Sequence, residues 1–179
     1  MELNLKPEDL KILFSEEQIQ TRIKELAQEM NEFYNGEEVV AICVLKGAVM
    51  FATDLVKNLN SPLQMEFIRL SSYGTGFSTS GNVNAVDIKL PDLNGRNVLI
   101  IEDIVDTGLT AKFLMDFMQC NFNAKSIKFC SLLDKKVTRK VDIEPDYYGF
   151  EVDNKFVVGY GLDYEGYYRN LRYIGYKEM

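Results

Sequence analysis

One short stretch of this 179-residue chain concentrates the groups that could do chemistry. Residues 98–110 read VLIIEDIVDTGLT. An apolar run leads into two acids, Glu102 and Asp103. A third acid, Asp106, follows, and then Thr107, Gly108, Leu109 and Thr110. If the run is a strand and the turn opens a helix, the carboxylates sit at the strand end beside a helix N-terminus. Such a terminus presents unpaired backbone N–H groups and the positive end of the helix dipole, which together favour a phosphate. Thr107 and Thr110 add hydroxyl donors, and Thr110 is placed to cap the helix. A sugar phosphate needs both halves of this arrangement: amides for the phosphate, and acceptors for the sugar hydroxyls or a bound Mg2+. The bland alternative is an ordinary turn with solvated acids. A lone Glu-Asp pair would favour that alternative, but the whole pattern is far more specific.

The rest of the composition narrows the chemistry. There is no histidine, so acid–base work falls to carboxylates, Lys, Tyr or Cys. Cys43, Cys120 and Cys130 are odd in number and form no CxxC pair. A disulfide framework or zinc site is not expected, and a reducing cytoplasm fits. The net charge is -7 and the pI about 4.8, which argues against general nucleic-acid binding. Small phosphorylated ligands remain compatible, because metal ions and backbone amides bind them locally. No run approaches the ~20 apolar residues that cross a bilayer, so no membrane association is expected. No GxxxxGK[ST] occurs, which excludes a P-loop nucleotidase.

Three weaker signals accompany the central one. Leu45-Lys46-Gly47-Ala48 offers a positive charge and a glycine that allows close backbone approach. Taken alone, it fits a simple strand-to-helix turn as well as a ligand loop. Lys135-Lys136 reads alone as a solvated charge pair. Eight of the ten tyrosines lie at or after Tyr147. Such an aromatic tail can stack on a flat base, although core or oligomer packing is the more frequent use.

The elements that must position these groups follow from patterning. Ser15-Glu16-Glu17-Gln18 is a capping box. Ile19, Ile23, Leu26, Ala27 and Met30 recur at helical spacing after it, and Asn35-Gly36 ends the helix. Residues 38–45 form a β-branched apolar run and so a buried strand. Residues 47–59 read as a helix and 64–70 as a strand. Residues 71–84 are small, polar and glycine-rich, and read as a long mobile loop. Residues 86–90 read as a returning strand, 97–101 as a buried strand, 110–120 as a helix and 127–133 as a strand. The remainder is strand-poor. Alternating strands and helices without a linker or repeat imply one α/β domain over residues 1–179 with a parallel sheet. Its ligands belong at the carboxyl ends of the strands.

With these residues in view, residues 98–110 resemble the phosphoribosyl pyrophosphate (PRPP) motif of the type I phosphoribosyltransferases. The wider chain, from about Ile12 to near the C-terminus, resembles the bacterial hypoxanthine-guanine members of that family. The resemblance implies a mainly parallel twisted sheet flanked by helices, with a small hood of N- and C-terminal segments over the strand ends. It implies that Glu102 and Asp103 contact the ribose diol and Mg2+, and that Asp106 is the general base beside purine N7. Thr107, Gly108, Leu109 and Thr110 would hold the 5′-phosphate. Lys46 and Gly47 match the family's pyrophosphate loop, usually LKGG, where the Leu-Lys bond tends to be cis. Ala48 here replaces the second glycine. Arg69, Ser72 and Tyr73 match the mobile lid, which would keep water from a cationic ribose.

Lys135 matches the lysine that donates to O6 and so selects against adenine. Phe156 matches the ring stacked on the base, and Val157 a backbone contact with its edge. Asp163 matches a second Mg2+ contact, and Arg169 a pyrophosphate ligand. The implied reaction joins hypoxanthine or guanine to PRPP, giving IMP or GMP and pyrophosphate, in a homodimer or homotetramer. Two rivals keep the same fold: an enzyme preferring xanthine or another base, and a PRPP-sensing regulator that binds nucleic acid without catalysis. The low pI and the presence of Asp106, Lys135 and Phe156 disfavour the regulator.

Overall fold

A computed structural model describes residues 5–72, 83–87 and 89–177. The central sheet grows from two strands, one wholly apolar and one with an apolar run over residues 98–101. Strand β2 spans Val39–Leu45 and β5 spans Asn97–Val105. In β2, Val39, Ala41 and Cys43 point into one core layer, and Val40, Ile42 and Val44 into the other. In β5, Leu99 and Ile101 face the first layer, and Val98 and Ile100 the second. Burial on both faces is why these strands are continuous apolar runs, as in parallel sheets covered by helices.

The other strands are β3 (Leu63–Ser72), β4 (Val83–Asp87), β6 (Ser126–Asp134) and β7 (Tyr147–Glu151). The sheet order is β4-β3-β2-β5-β6-β7, with five parallel strands and β4 antiparallel at one edge. Helix α1, Glu16–Tyr34, and α2, Val49–Val56, supply the first core layer, and α3, Leu109–Asn121, the second. The expected capping box is present: Gln18 N donates to Ser15 Oγ, and Ser15 N donates to Gln18 Oε1. Asn35 ends α1 in the left-handed region at φ 47°.

A second, three-stranded sheet joins the two ends of the chain. It runs β1 (Lys11–Phe14), β9 (Ile174–Tyr176), β8 (Val157–Val158), antiparallel throughout. Phe14 of β1 stacks on Phe150 of β7 at 4.0 Å, which couples this small sheet to the large one.

Several element boundaries depart from the sequence reading. The tail is not strand-poor, since β7, β8 and β9 all lie in it. Strand β7 is an edge strand of mixed polarity, with no periodic signal of its own. It is held by parallel pairing with β6 and by Arg22, whose guanidinium donates to the carbonyls of Tyr148 and Gly149. The helix expected over 47–59 is shorter, because residues 46–48 form a turn. The returning strand occupies Val83–Asp87 rather than 86–90, so residues 83 and 84 of the expected loop belong to it. Ser71 and Ser72 likewise close β3. Of that loop, residues 73–82, including Tyr73, lie outside the described residues. No helix among the described residues is long and apolar enough to cross a membrane.

Candidate active site

Parallel pairing brings the carboxyl ends of β2, β5 and β6 to one edge of the sheet. Each end then delivers its own part of the site. Strand β5 runs to Val105, so Glu102 and Asp103 lie inside the strand rather than just after it. Glu102 is 6% exposed, and its Oε1 has no hydrogen-bond partner among the described residues. Burial, with the neighbouring charge of Asp103, pushes the Glu102 carboxyl well above its usual range. Burial also raises Asp103, against the hydrogen bond it accepts from Ile104 N and the positive charge of Arg169. Two adjacent buried acids without a cation are electrostatically costly.

Asp106 is different: it is exposed, and its carboxylate accepts from the Thr138 hydroxyl. Gly108 begins α3 in the left-handed region, φ 81°, and no side chain caps the helix. The expected cap at Thr110 is therefore incorrect. Thr110 already lies in the first turn, and Thr107 Oγ1 reaches only Leu109 N, at 3.5 Å. The first-turn amides are thus left to face a cavity of about 80 Å³ lined by Glu102, Asp106, Thr107, Gly108 and Thr110, among others.

The Leu45-Lys46 peptide bond is cis. Gly47 follows it, buried against β5. A Cβ on Gly47 would lie 1.6 Å from Asp103 Oδ2, so no other residue fits without moving that carboxylate. The close approach that this glycine allows is, within the protein, to Asp103. Lys46 and Arg69 are both exposed, and Leu45 pairs with Arg69 across β2 and β3.

A second cavity of about 180 Å³ lies beside the first and shares Asp106 and Ile104 with it. Phe156, Val157 and Asp163 come to it from the small sheet and its following loop, and Lys135 from the end of β6. Phe156 is 51% exposed and meets Tyr164 edge-on. The Lys135 ammonium makes no hydrogen bond or ion pair with the described residues, and so is free for a ligand. Lys155 and Leu162 also line this cavity. Neither was singled out from sequence, although Lys155 directly precedes Phe156.

Asp163 is turned to the protein. It accepts from Gly166 N and pairs with Arg169 at 2.6 Å, while Arg169 also donates to Gly161 O. Among the described residues no three acids, cysteines or histidines converge as a metal cage. Glu102 and Asp106 line the first cavity with Thr107, Gly108 and Thr110, and Asp103, Asp106 and Asp163 line the second.

This is the sheet edge, acid pair and amide turn of a phosphoribosyl-group-binding fold, and the comparisons agree. The phosphoribosyl transferase domain model matches residues 10–165. The hypoxanthine-guanine phosphoribosyltransferase of Bacillus subtilis is 48% identical over 165 residues, covering 92% of this chain and 91% of that protein. The bifunctional protein TilS/HprT of Listeria monocytogenes is also 48% identical over 165 residues, but there the chain spans only 25% of the relative's length. Among solved structures, a hypoxanthine phosphoribosyltransferase from Staphylococcus aureus superposes with a TM-score of 0.91 at 40% identity, covering 99% of this chain and 97% of that one. A Trypanosoma cruzi hypoxanthine phosphoribosyltransferase variant complexed with the product IMP gives 0.89 at 40% identity, covering 97% and 94%. The chain belongs to the phosphoribosyl transferase family and, within it, to the hypoxanthine-guanine phosphoribosyltransferases.

Proposed function

We propose that this chain transfers the 5-phosphoribosyl group of PRPP to N9 of a 6-oxopurine, hypoxanthine or guanine, forming IMP or GMP and pyrophosphate. The observation that carries the proposal is the position of Asp106. It stands between a cavity faced by uncapped helix amides and a cavity with an aromatic ring and an unpaired lysine. One cavity has the chemistry for a sugar phosphate and the other for a flat base with an acceptor on its edge.

In this reading the amides and hydroxyls of Thr107, Gly108, Leu109 and Thr110 hold the 5′-phosphate. Phe156 stacks on the purine, with Val157 at its edge. Lys135 donates to O6, and this selects against adenine, because an ammonium accepts nothing from an amino group. Asp106 takes the proton from N7 as N9 attacks C1′. Lys46 and Arg169 offset charge on the departing pyrophosphate. For that, Arg169 must exchange its present pairing with Asp163 for the ligand. By the family resemblance Arg69, Ser72 and Tyr73 would help exclude water; Arg69 and Ser72 lie in β3, and Tyr73 lies outside the described residues.

Mg2+ fits this donor set. Glu102 and Asp103 are hard oxygen donors on consecutive residues of β5, and Glu102 Oε1 has no hydrogen-bond partner among the described residues. Mg2+ is commonly held by one or two carboxylates plus substrate phosphates, so no all-protein cage is needed. Glu102 and Asp103 would hold it with the ribose hydroxyls, with Asp163 joining once Arg169 has moved. When bound, it would offset the negative charge of the pyrophosphate. A cytoplasmic location is supported by three free cysteines. A homodimer or homotetramer is part of the same proposal and is tested by sedimentation.

The activity is tested with labelled PRPP and a panel of hypoxanthine, guanine, xanthine and adenine. Nucleotide formation with the first two and not with adenine supports the reading. Formation with adenine, or with none, would sink it. A xanthine-only result would move the assignment to the rival enzyme.

A further inference from the structure

The loop after β6 contains Arg139, a residue that lines neither cavity yet touches the support of both. Its side chain is 13% exposed, and all its donors are directed inward. Nη2 pairs with the buried carboxylate of Asp134, the last residue of β6 and the one before Lys135. The same nitrogen reaches Val105 O at 3.4 Å, Nε donates to Asp106 O at 3.2 Å, and Nη1 donates to Ile143 O. The aliphatic stem lies under Gly108, where a Cβ would come within 2.7 Å of Arg139 Cδ.

The neighbouring backbone repeats the pattern. Lys135 N donates to Val105 O and Lys140 N donates to Thr107 O, both at 2.9 Å. Thr138, next to Arg139, donates to the Asp106 carboxylate itself. The strand end that carries Lys135 and the turn that carries Asp106 are therefore joined through one guanidinium. Only a planar fork with five donors can serve a carboxylate and several carbonyls at once.

We infer that Arg139 is a positioning residue that locks Asp106 and Lys135 into one unit, so that proton removal and O6 recognition act on the same bound base. This rests on the proposed function and adds the residue that makes its two base-directed groups cooperate. A lysine at 139 keeps a positive charge for Asp134 but cannot hold the carbonyls of Val105, Asp106 and Ile143 together with it.

The test compares the full-length wild type with Arg139→Lys, using hypoxanthine and its 6-thio analogue as paired substrates. Sulfur is a much weaker acceptor than oxygen, so the ratio of kcat/KM for the two bases reads the Lys135 contact. A lower folded fraction scales both bases equally and cannot move that ratio. For Arg139→Lys we expect kcat to fall about tenfold or more, since displacements near 1 Å in a reacting site cost ~10²-fold. The hypoxanthine preference should also fall about fivefold or more. A kcat and a base ratio both within about twofold of wild type, in a folded variant, would overturn the inference. If Arg139→Lys does not fold, Asp134→Asn decides by the same two readouts, because it weakens the pair without changing its shape. A wild type inactive on every base would sink the proposed function and this inference together. An active wild type with unaffected variants would sink the inference alone.

Discussion

Replacing Gly47 with alanine adds one methyl group, and the structure fixes where it goes. The new Cβ would lie 1.6 Å from Asp103 Oδ2 and 2.5 Å from its Cγ, whereas ordinary contact begins near 3.4 Å. The carboxylate must therefore retreat by roughly 2 Å, or the Lys46-Gly47 turn must lift by as much. Overpacking of this kind costs about 1–3 kcal/mol of stability, a drop of about 2–4 °C in Tm per kcal/mol for a chain of this size. The functional loss should be larger. Asp103 is one of two acids proposed to hold Mg2+ and the ribose, and a misplacement near 1 Å costs ~10²-fold. We therefore expect kcat/KM for PRPP to fall about 100-fold or more, with a higher Mg2+ concentration needed for half-maximal rate. The assay is initial-rate IMP formation, titrated in Mg2+ well below the melting temperature of the variant. A Gly47→Ala protein with kcat/KM and Mg2+ requirement within about twofold of wild type would refute the reasoning, since it would separate Asp103 from the reaction.

Asp106→Asn should keep the fold and lower kcat about 10²–10⁴-fold, the usual range for a general base; near-wild-type kcat in a stopped-point assay would remove Asp106 from that role. Lys135→Ala should weaken 6-oxopurine and IMP binding while leaving stability within about 0.5 kcal/mol, because the ammonium has no partner to lose among the described residues; unchanged IMP affinity by calorimetry would count against the contact. Away from the site, burial raises Asp54, but hydrogen bonds from Lys57, Tyr160 and Gln20 outweigh it and hold the carboxyl below the usual carboxylate range. A folded pKa below the unfolded one stabilises the protein above the unfolded value, and this contribution fades as pH falls through the folded value. Urea midpoints of wild type and Asp54→Asn should thus differ at pH 7 and converge below about pH 4; a gap that widens on acidification would reverse the sign of the argument.

The parts of this molecule that the sequence discloses are those whose cause is local. Strands β2 and β5 are legible because both faces of each are buried, and the capping box at Ser15 because its two hydrogen bonds span only four residues. The acid pair and the 107–110 turn are legible for the same reason, lying within one strand-turn-helix unit. What escapes is set by partners distant in sequence. Strand β7 exists because β6, the preceding strand, and Arg22, more than a hundred positions earlier, satisfy its backbone. Gly47 is required by Asp103, 56 positions later in the chain. Arg139 sits in a charged run, KKVTRKVD, that reads as solvated until β6 and the β5 turn are folded around it. Thr110 has the composition of a cap, but Gly108 in the left-handed region starts the helix earlier. Lys135 and Phe156, proposed to contact the base, carry no signal of their own beyond the family resemblance.

The most direct measurement is a crystal structure with IMP, Mg2+ and pyrophosphate. The 5′-phosphate should lie on the amides of residues 107–110, with the ribose hydroxyls at Glu102 and Asp103. The purine should lie on Phe156, with O6 at the Lys135 ammonium and N7 at Asp106. A nucleotide bound with its phosphate away from the start of α3, or with its base outside the cavity of Lys135 and Phe156, would contradict the proposed function.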